Sequence, residues 1–96
     1  MKVAINGFGR IGRSVFRILN SKEDVNIAAI NDIFDKGALT YLLKYDTVMG
    51  RFPDEVTLEG DMLKTGGQSV KLIAERDPSS LPWGELGVDI VIESTG

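Results

Sequence analysis

No cysteine and no histidine occurs among the 96 residues. The first absence excludes disulfides, zinc-thiolate sites and a cysteine nucleophile within the chain, and the second removes the commonest general base and metal ligand. No metal site is expected. Apolar runs are short and none approaches the roughly 20 residues that cross a bilayer. Met1-Lys2 leads directly into a strand-like segment, without the apolar stretch and cleavage site of a secretory leader, so a cytoplasmic location and no membrane partner are expected. Basic charge is also sparse, 11 Lys and Arg against 14 Asp and Glu for a net −3. No basic run resembles a nucleic-acid footprint, which argues against a nucleic-acid partner. With 43% hydrophobic and 26% charged residues the composition is that of a soluble globular chain, and the length bounds it to at most one domain with a modest core.

What is present is a glycine turn. The apolar run Val3-Ala4-Ile5 breaks at Asn6 into Gly7, Gly9 and Gly12 at GxGxxG spacing and opens directly into a helical pattern. Each glycine has a physical use: Gly7 allows a tight strand-to-helix turn, Gly9 lets backbone approach a pyrophosphate, and Gly12 lets the helix sit close to the strand. The N–H groups and positive dipole end of that helix then face an anion. The spacing alone is weak, because glycine turns are common. Its context strengthens it, since a strand precedes, a helix follows, and Asp32 stands twenty positions beyond Gly12. Arg10, Arg13 and Arg17 add local positive charge on the helix; Arg17 reads as part of a solvated face, and Arg13 is left open between that face and the site.

The helix is expected over 10–19, with Ile11, Val15, Ile18 and Leu19 as its buried stripe. Residues 25–30 form a second apolar run, completing a right-handed βαβ unit. At its end Asp32 can accept hydrogen bonds from both hydroxyls of an adenosine ribose and would repel a 2′-phosphate, favouring NAD over NADP; a turn or cap role is the alternative. Ile33 and Phe34 follow, either as walls for an adenine or as ordinary packing. Asp35 is the better cap for a second helix over 36–45, with Ala38, Leu39, Leu42 and Leu43 on one face and Tyr41 and Tyr45 paired at i, i+4. Met49-Gly50-Arg51-Phe52-Pro53 breaks the pattern. Segments 55–59, 62–65 and 69–75, separated by Gly60-Asp61 and Gly66-Gly67, read as a small antiparallel meander. Pro78 and Pro82 with Trp83 mark an irregular connection. Two readings of Arg76 stand, an approach to the adenosine side of a cofactor or a surface ion pair with Glu75 or Asp77.

Val88 to Ile92 is a last strong apolar run, followed by Ser94-Thr95-Gly96. In a doubly wound sheet of strand order 3-2-1-4-5-6 the fourth strand lies beside the first, and ligand binds at the carboxyl ends where the winding reverses. Ser94, Thr95 and Gly96 would then face the glycine turn across one crevice. The fold expected is an α/β, Rossmann-like doubly wound parallel sheet with a small antiparallel meander. It is incomplete, because strand four would be an apolar edge. Residues 1–96 are accordingly expected to be the N-terminal part of a larger domain, with the remainder of the parent chain as partner.

Ile5-Asn6-Gly7-Phe8-Gly9-Arg10-Ile11-Gly12-Arg13, Asn31-Asp32, Leu42-Leu43-Lys44-Tyr45-Asp46, Glu75-Arg76-Asp77-Pro78 and Glu93-Ser94-Thr95-Gly96 together resemble, in order and over essentially the whole chain, the N-terminal part of phosphorylating glyceraldehyde-3-phosphate dehydrogenases. The resemblance implies an NAD-binding portion of a cytoplasmic, homotetrameric glycolytic oxidoreductase that oxidises an aldehyde to an acyl phosphate. It implies that Phe8, Gly9, Arg10 and Ile11 contact the pyrophosphate, with Ile11 also near the nicotinamide. Asp32 would hold the ribose, and Ile33, Arg76, Thr95 and Gly96 would line the adenine side and neighbouring cofactor groups. The family's thiolate and histidine cannot be placed in this chain, so these residues alone are expected to be inactive. Erythrose-4-phosphate dehydrogenase shares the glycine turn and the helix ending at Asp46, and Glu75-Arg76-Asp77-Pro78 leans toward the triose enzyme; a non-catalytic nucleotide-binding or interaction module is a reading of another class, disfavoured because such a module should not expose an apolar central strand.

Overall fold

A computed structural model describes residues 1–22, 24–33, 35–45, 55–77 and 81–94. Phe34, the 49–53 break, Pro78, Thr95 and Gly96 lie outside the described residues. The elements run β1 (Lys2–Asn6), α1 (Arg10–Asn20), β2 (Asn26–Asn31), α2 (Lys36–Tyr45), β3 (Val56–Glu59), β4 (Met62–Thr65), β5 (Gln68–Ile73) and β6 (Ile90–Glu93). They form one sheet of order β3-β4-β5-β2-β1-β6. The pairs β5·β2, β2·β1 and β1·β6 are parallel, which is the 3-2-1-4 half of a doubly wound sheet.

Consecutive burial of Val3, Ala4 and Ile5 shows why β1 is apolar without alternation: both faces of a central parallel strand are covered. In β2, Ile27, Ala29 and Ile30 are likewise buried. The meander is present, but its last strand has two partners. β5 is antiparallel to β4 through a turn in which Gly66 and Gly67 both take positive φ, 49° and 86°, and it is also the third parallel strand, with Ala29, Ile30 and Ile73 near the shared register. Gln68 anchors this arrangement. Its Oε1 accepts from the Ile27 N–H at 3.0 Å and its Nε2 donates to the Val25 carbonyl at 2.9 Å, so one amide completes the start of β2.

Helix α1 is rotated from the expected stripe. Ile11 and Ile18 are exposed, whereas Gly12 and Phe16 are buried, with Val15 and Leu19 packed against the core. Positions 12, 15, 16 and 19 are an i, i+3, i+4, i+7 set; close approach at Gly12 fixes the helix phase and carries the two isoleucines outward. Phe16 meets Phe8 edge-to-face, centroids 5.8 Å apart at 85°, and full burial of such a ring contributes about 1.5–3 kcal/mol. Arg17 is not solvated, because its Nη2 donates to the Leu43 carbonyl at 2.8 Å and ties α1 to the end of α2.

Asp35 caps α2 as expected, Oδ2 accepting from the Ala38 N–H at 2.9 Å. The buried face of α2 is Leu39, Thr40 and Leu43; Ala38 and Leu42 are exposed. Thr40 is tolerated there because its hydroxyl donates to the Lys36 carbonyl at 2.9 Å. Tyr41 and Tyr45 pack on each other at 4.9 Å on the exposed side. The connection 81–89 is a set of turns, and β6 begins later than expected. The Asp89 N–H donates to the Lys2 carbonyl at 2.8 Å and the Asp89 Oδ2 accepts from the Lys2 N–H at 2.8 Å, which seats β6 on β1 before ladder pairing starts at Ile90.

Candidate functional site

The carboxyl ends of β1, β2 and β6 and the segment after β5 open into a cleft of about 660 Å³, within the usual range for cofactor-sized sites. Gly7, Gly9, Asp32, Ile33, Arg76 and Ser94, all expected site residues, line it. Gly7 makes the turn at φ 95°, a backbone state that side chains disfavour, and its N–H donates to the Asn31 carbonyl at 2.8 Å. Gly9 is the N-cap of α1. Among the described residues no side chain caps the helix there, no acid stands in the first turn, and a Cβ on Gly9 would meet nothing within 4 Å. The helix end therefore presents open space and a positive dipole end, which suits a phosphate.

Gly12 is buried, and a Cβ there would lie 2.3 Å from the Gly7 carbonyl oxygen and 2.9 Å from Ser94 Oγ. It permits the close approach that sets both the turn and the helix. Ser94 closes the opposite wall: its N–H donates to the Asn6 carbonyl at 2.8 Å and its hydroxyl donates to the Gly7 carbonyl. The end of β6 is thus fastened to the glycine turn, as the expected topology requires.

Asp32 faces the turn. Its Oδ2 accepts from the Phe8 N–H at 2.7 Å, and its own N–H donates to the Ile73 carbonyl at 2.8 Å. This is a charge-assisted bond of the stronger kind, so the acid organises the glycine turn. Phe8 reaches the site through backbone alone, its ring being buried in the core. Arg13 supports the turn, Nη1 donating to the Phe8 carbonyl at 3.3 Å. Arg10 and Ile11 are exposed on the first turn of α1 and are not part of the cleft wall.

Five of the described lining residues were not singled out from the sequence as site residues: Asn6, Asn31, Glu75, Leu81 and Glu93. Asn31 is almost fully buried at 6% exposure. The available signal was a polar amide ending each of two apolar strands, directly before Gly7 and directly before Asp32. Among the described residues the wall carries the carboxylates Asp32, Glu75 and Glu93 against the guanidinium of Arg76, a balance hostile to an extra phosphate near the acids.

A glycine turn between strand and helix, an acid at the end of the next strand and a cleft at the carboxyl ends of a 3-2-1-4 sheet define a Rossmann-class dinucleotide-binding domain. Comparison with known proteins narrows this class. Over residues 1–96 the chain matches the family model described as glyceraldehyde 3-phosphate dehydrogenase, NAD binding domain, and it belongs to that family, whose cofactor is NAD. It is 55% identical over 97 residues to glyceraldehyde-3-phosphate dehydrogenase 1 of Streptomyces avermitilis, covering 100% of this chain and 29% of that protein. The Geobacillus stearothermophilus enzyme is 53% identical over 96 residues, with 100% and 29% covered. The chromosomal enzyme of Cupriavidus necator is 50% identical over 99 residues, with 100% and 30% covered. The chain therefore spans less than a third of the length of these relatives. Among the described residues no helix is long and apolar enough to cross a membrane.

Proposed function

We propose that NAD lies in this cleft and extends over the N-terminus of α1, with the pyrophosphate on Phe8 to Ile11 and the adenosine ribose on Asp32, as the cofactor half of a phosphorylating glyceraldehyde-3-phosphate dehydrogenase. The observation that carries the reading is the 2.7 Å bond from the Phe8 N–H to Asp32 Oδ2, which ties the glycine turn to the acid on the cleft wall. Ile33 and Arg76 flank the adenine side, and Ser94, with Thr95 and Gly96 beyond it, borders the cofactor from β6. When bound, NAD supplies the acceptor for a hydride. The residues here bind and orient it, with the open space over Gly9 admitting the phosphates and the acids of the wall disfavouring a 2′-phosphate.

Oxidation of an aldehyde to an acyl phosphate needs a thiolate and a base. With no cysteine and no histidine in the 96 residues, those groups come from another part of the parent protein, and these residues alone do not turn over. The following strand of that protein would add to β6, the edge of the sheet among the described residues. We place the whole enzyme in the cytoplasm as a homotetramer. The test is calorimetric titration with NAD and NADP. Wild type is expected to prefer NAD, and Asp32→Ala to lose about tenfold or more of that affinity, because a charge-assisted bond contributes about 1.5–3 kcal/mol. Preference for NADP, or an unchanged Asp32→Ala titration, would refute the reading.

A further inference from the structure

We infer that Asn6 and Asn31 form a hydrogen-bond relay of fixed polarity that holds the ends of β6, β1 and β2 and the segment after β5 in register beneath the cofactor, making both positioning residues of the cleft. The inference rests on the cofactor reading above. It begins at a peptide whose polarity cannot change. Asn31 Nδ2 donates to the Glu75 carbonyl at 3.0 Å and its Oδ1 accepts from the Glu75 N–H at 2.8 Å, so this carboxamide has one orientation. Its second N–H donates to Asn6 Oδ1 at 2.8 Å. Asn6 is therefore fixed too, with Nδ2 turned toward Glu93, whose two oxygens accept at 3.0 and 3.1 Å.

Each link determines the next, from backbone to buried amide to second amide to carboxylate. The main chains of the same two asparagines accept from the elements that form the site: the Asn31 carbonyl from the Gly7 N–H and the Asn6 carbonyl from the Ser94 N–H, both at 2.8 Å. A shift of the Asn31 main chain would thus disturb the glycine turn, and a shift of the Asn6 main chain would disturb Ser94.

The relay has a chemical signature that simple packing lacks. In Asn6→Asp, one oxygen still accepts from Asn31 and the other opposes Glu93. Asp32 and Glu75 on the same wall add to that repulsion, and Arg76 opposes it. A carboxyl pair at hydrogen-bond distance shares a proton when acidified, which restores the missing donor. In Asn6→Asp/Glu93→Gln the charge is exchanged between the two positions, the net charge is that of wild type, and the new amide at position 93 can donate where the Glu93 carboxylate accepted. Asn31→Asp loses two donors, toward the Glu75 carbonyl and Asn6 Oδ1, and one proton replaces at most one.

The experiment is NAD titration of the intact protein at pH 8 and pH 5, each variant referred to wild type at the same pH, with amide hydrogen exchange of Gly7 and Ser94 measured without cofactor. Asn6→Asp is expected to bind about tenfold more weakly at pH 8, with most of the loss recovered at pH 5. The double variant recovers at both pH values, and Asn31→Asp recovers only in part. The two amides should exchange faster in Asn6→Asp at pH 8 and return toward wild type in the double variant. Wild-type affinity in Asn6→Asp at pH 8, or a loss that Glu93→Gln leaves unrepaired, would overturn the relay. Where the single variant does not fold at pH 8, folding of the double variant supports the relay and its failure overturns it. If wild type does not bind NAD while the exchange pattern holds, the cofactor reading falls and the relay stands.

Discussion

Alanine at Gly12 and alanine at Gly9 should have opposite consequences although both glycines belong to one turn. At Gly12 the new Cβ would stand 2.3 Å from the Gly7 carbonyl oxygen and 2.9 Å from Ser94 Oγ. The nearer atom is backbone, fixed by β1 on one side and the turn on the other, so separation by about 1 Å must come from moving α1 off the sheet. That motion loosens the Phe8 to Phe16 contact and the Ser94 closure. Overpacking of this kind costs about 1–3 kcal/mol, and the displacement required puts Gly12→Ala near the upper end. Alanine recovers about 1 kcal/mol of helix propensity, leaving a net loss of roughly 2 kcal/mol. For a domain of this size that is about 8–16 °C in melting temperature. At Gly9, φ is −76°, the backbone is extended and the Cβ meets nothing, so stability should change by less than about 0.5 kcal/mol. The methyl group would instead occupy the approach to the phosphates and weaken NAD binding. Thermal melts and NAD titrations of both variants check the pair. A Gly12→Ala protein as stable as wild type, or a Gly9→Ala protein that binds NAD normally, would refute the assignment of these two roles.

Removing the guanidinium in Arg17→Met should cost about 1.5–3 kcal/mol in urea unfolding, because the Leu43 carbonyl loses a charged donor at 2.8 Å. Thr65 is buried and its hydroxyl oxygen has no hydrogen-bond partner among the described residues, so the isosteric Thr65→Val should leave stability unchanged or raise it by up to about 1 kcal/mol. A clear loss would show that the hydroxyl is bonded. Lys64 Nζ lies 2.7 Å from Glu59 Oε2 across the β3–β4 hairpin, and its hydrogen bond and charge hold the Glu59 carboxyl below its usual range. A depressed carboxylate contributes stability above its unfolded pKa and loses it as pH falls through the folded value. Lys64→Met should move the Glu59 midpoint upward in an NMR titration and remove that acid-side dependence.

Local chemistry made much of this molecule legible before its structure. The Gly7, Gly9 and Gly12 spacing, the apolar β1 and β2 and the Asp35 cap are all near-neighbour patterns, and Val88 to Ile92 announced a strand, which begins at Ile90 and is half-buried at Val91 and Ile92. What failed was phase and partnership. Ile11 and Ile18 looked like core by hydrophobicity, yet the third glycine decides which side of α1 meets β1, and counting from Gly12 gives Val15, Phe16 and Leu19. The Gly66-Gly67 turn revealed the antiparallel neighbour of β5 but not its parallel one, since no local feature encodes a pairing with Ala29 and Ile30. Asn6 and Asn31 were similarly opaque. An amide at a strand end acquires meaning only when another strand, 25 residues away, brings its partner.

The pairing of β6 with β1 joins residues 87 positions apart, whereas β1 and β2 pair across a short helical crossover. Loop-closure entropy therefore favours the βαβ unit as the earlier structure and leaves β6 to dock late. Part of the cleft, Glu93 and Ser94, arrives with that last strand. Its docking is also of low cost to reverse, because among the described residues β6, like β3 at the opposite edge, has one ladder partner and Ile90 is 46% exposed. A ligand that spans the glycine turn and Ser94 thus bridges the first and last segments to assemble, and occupancy of the cleft would slow the release of β6 before it slowed any other strand.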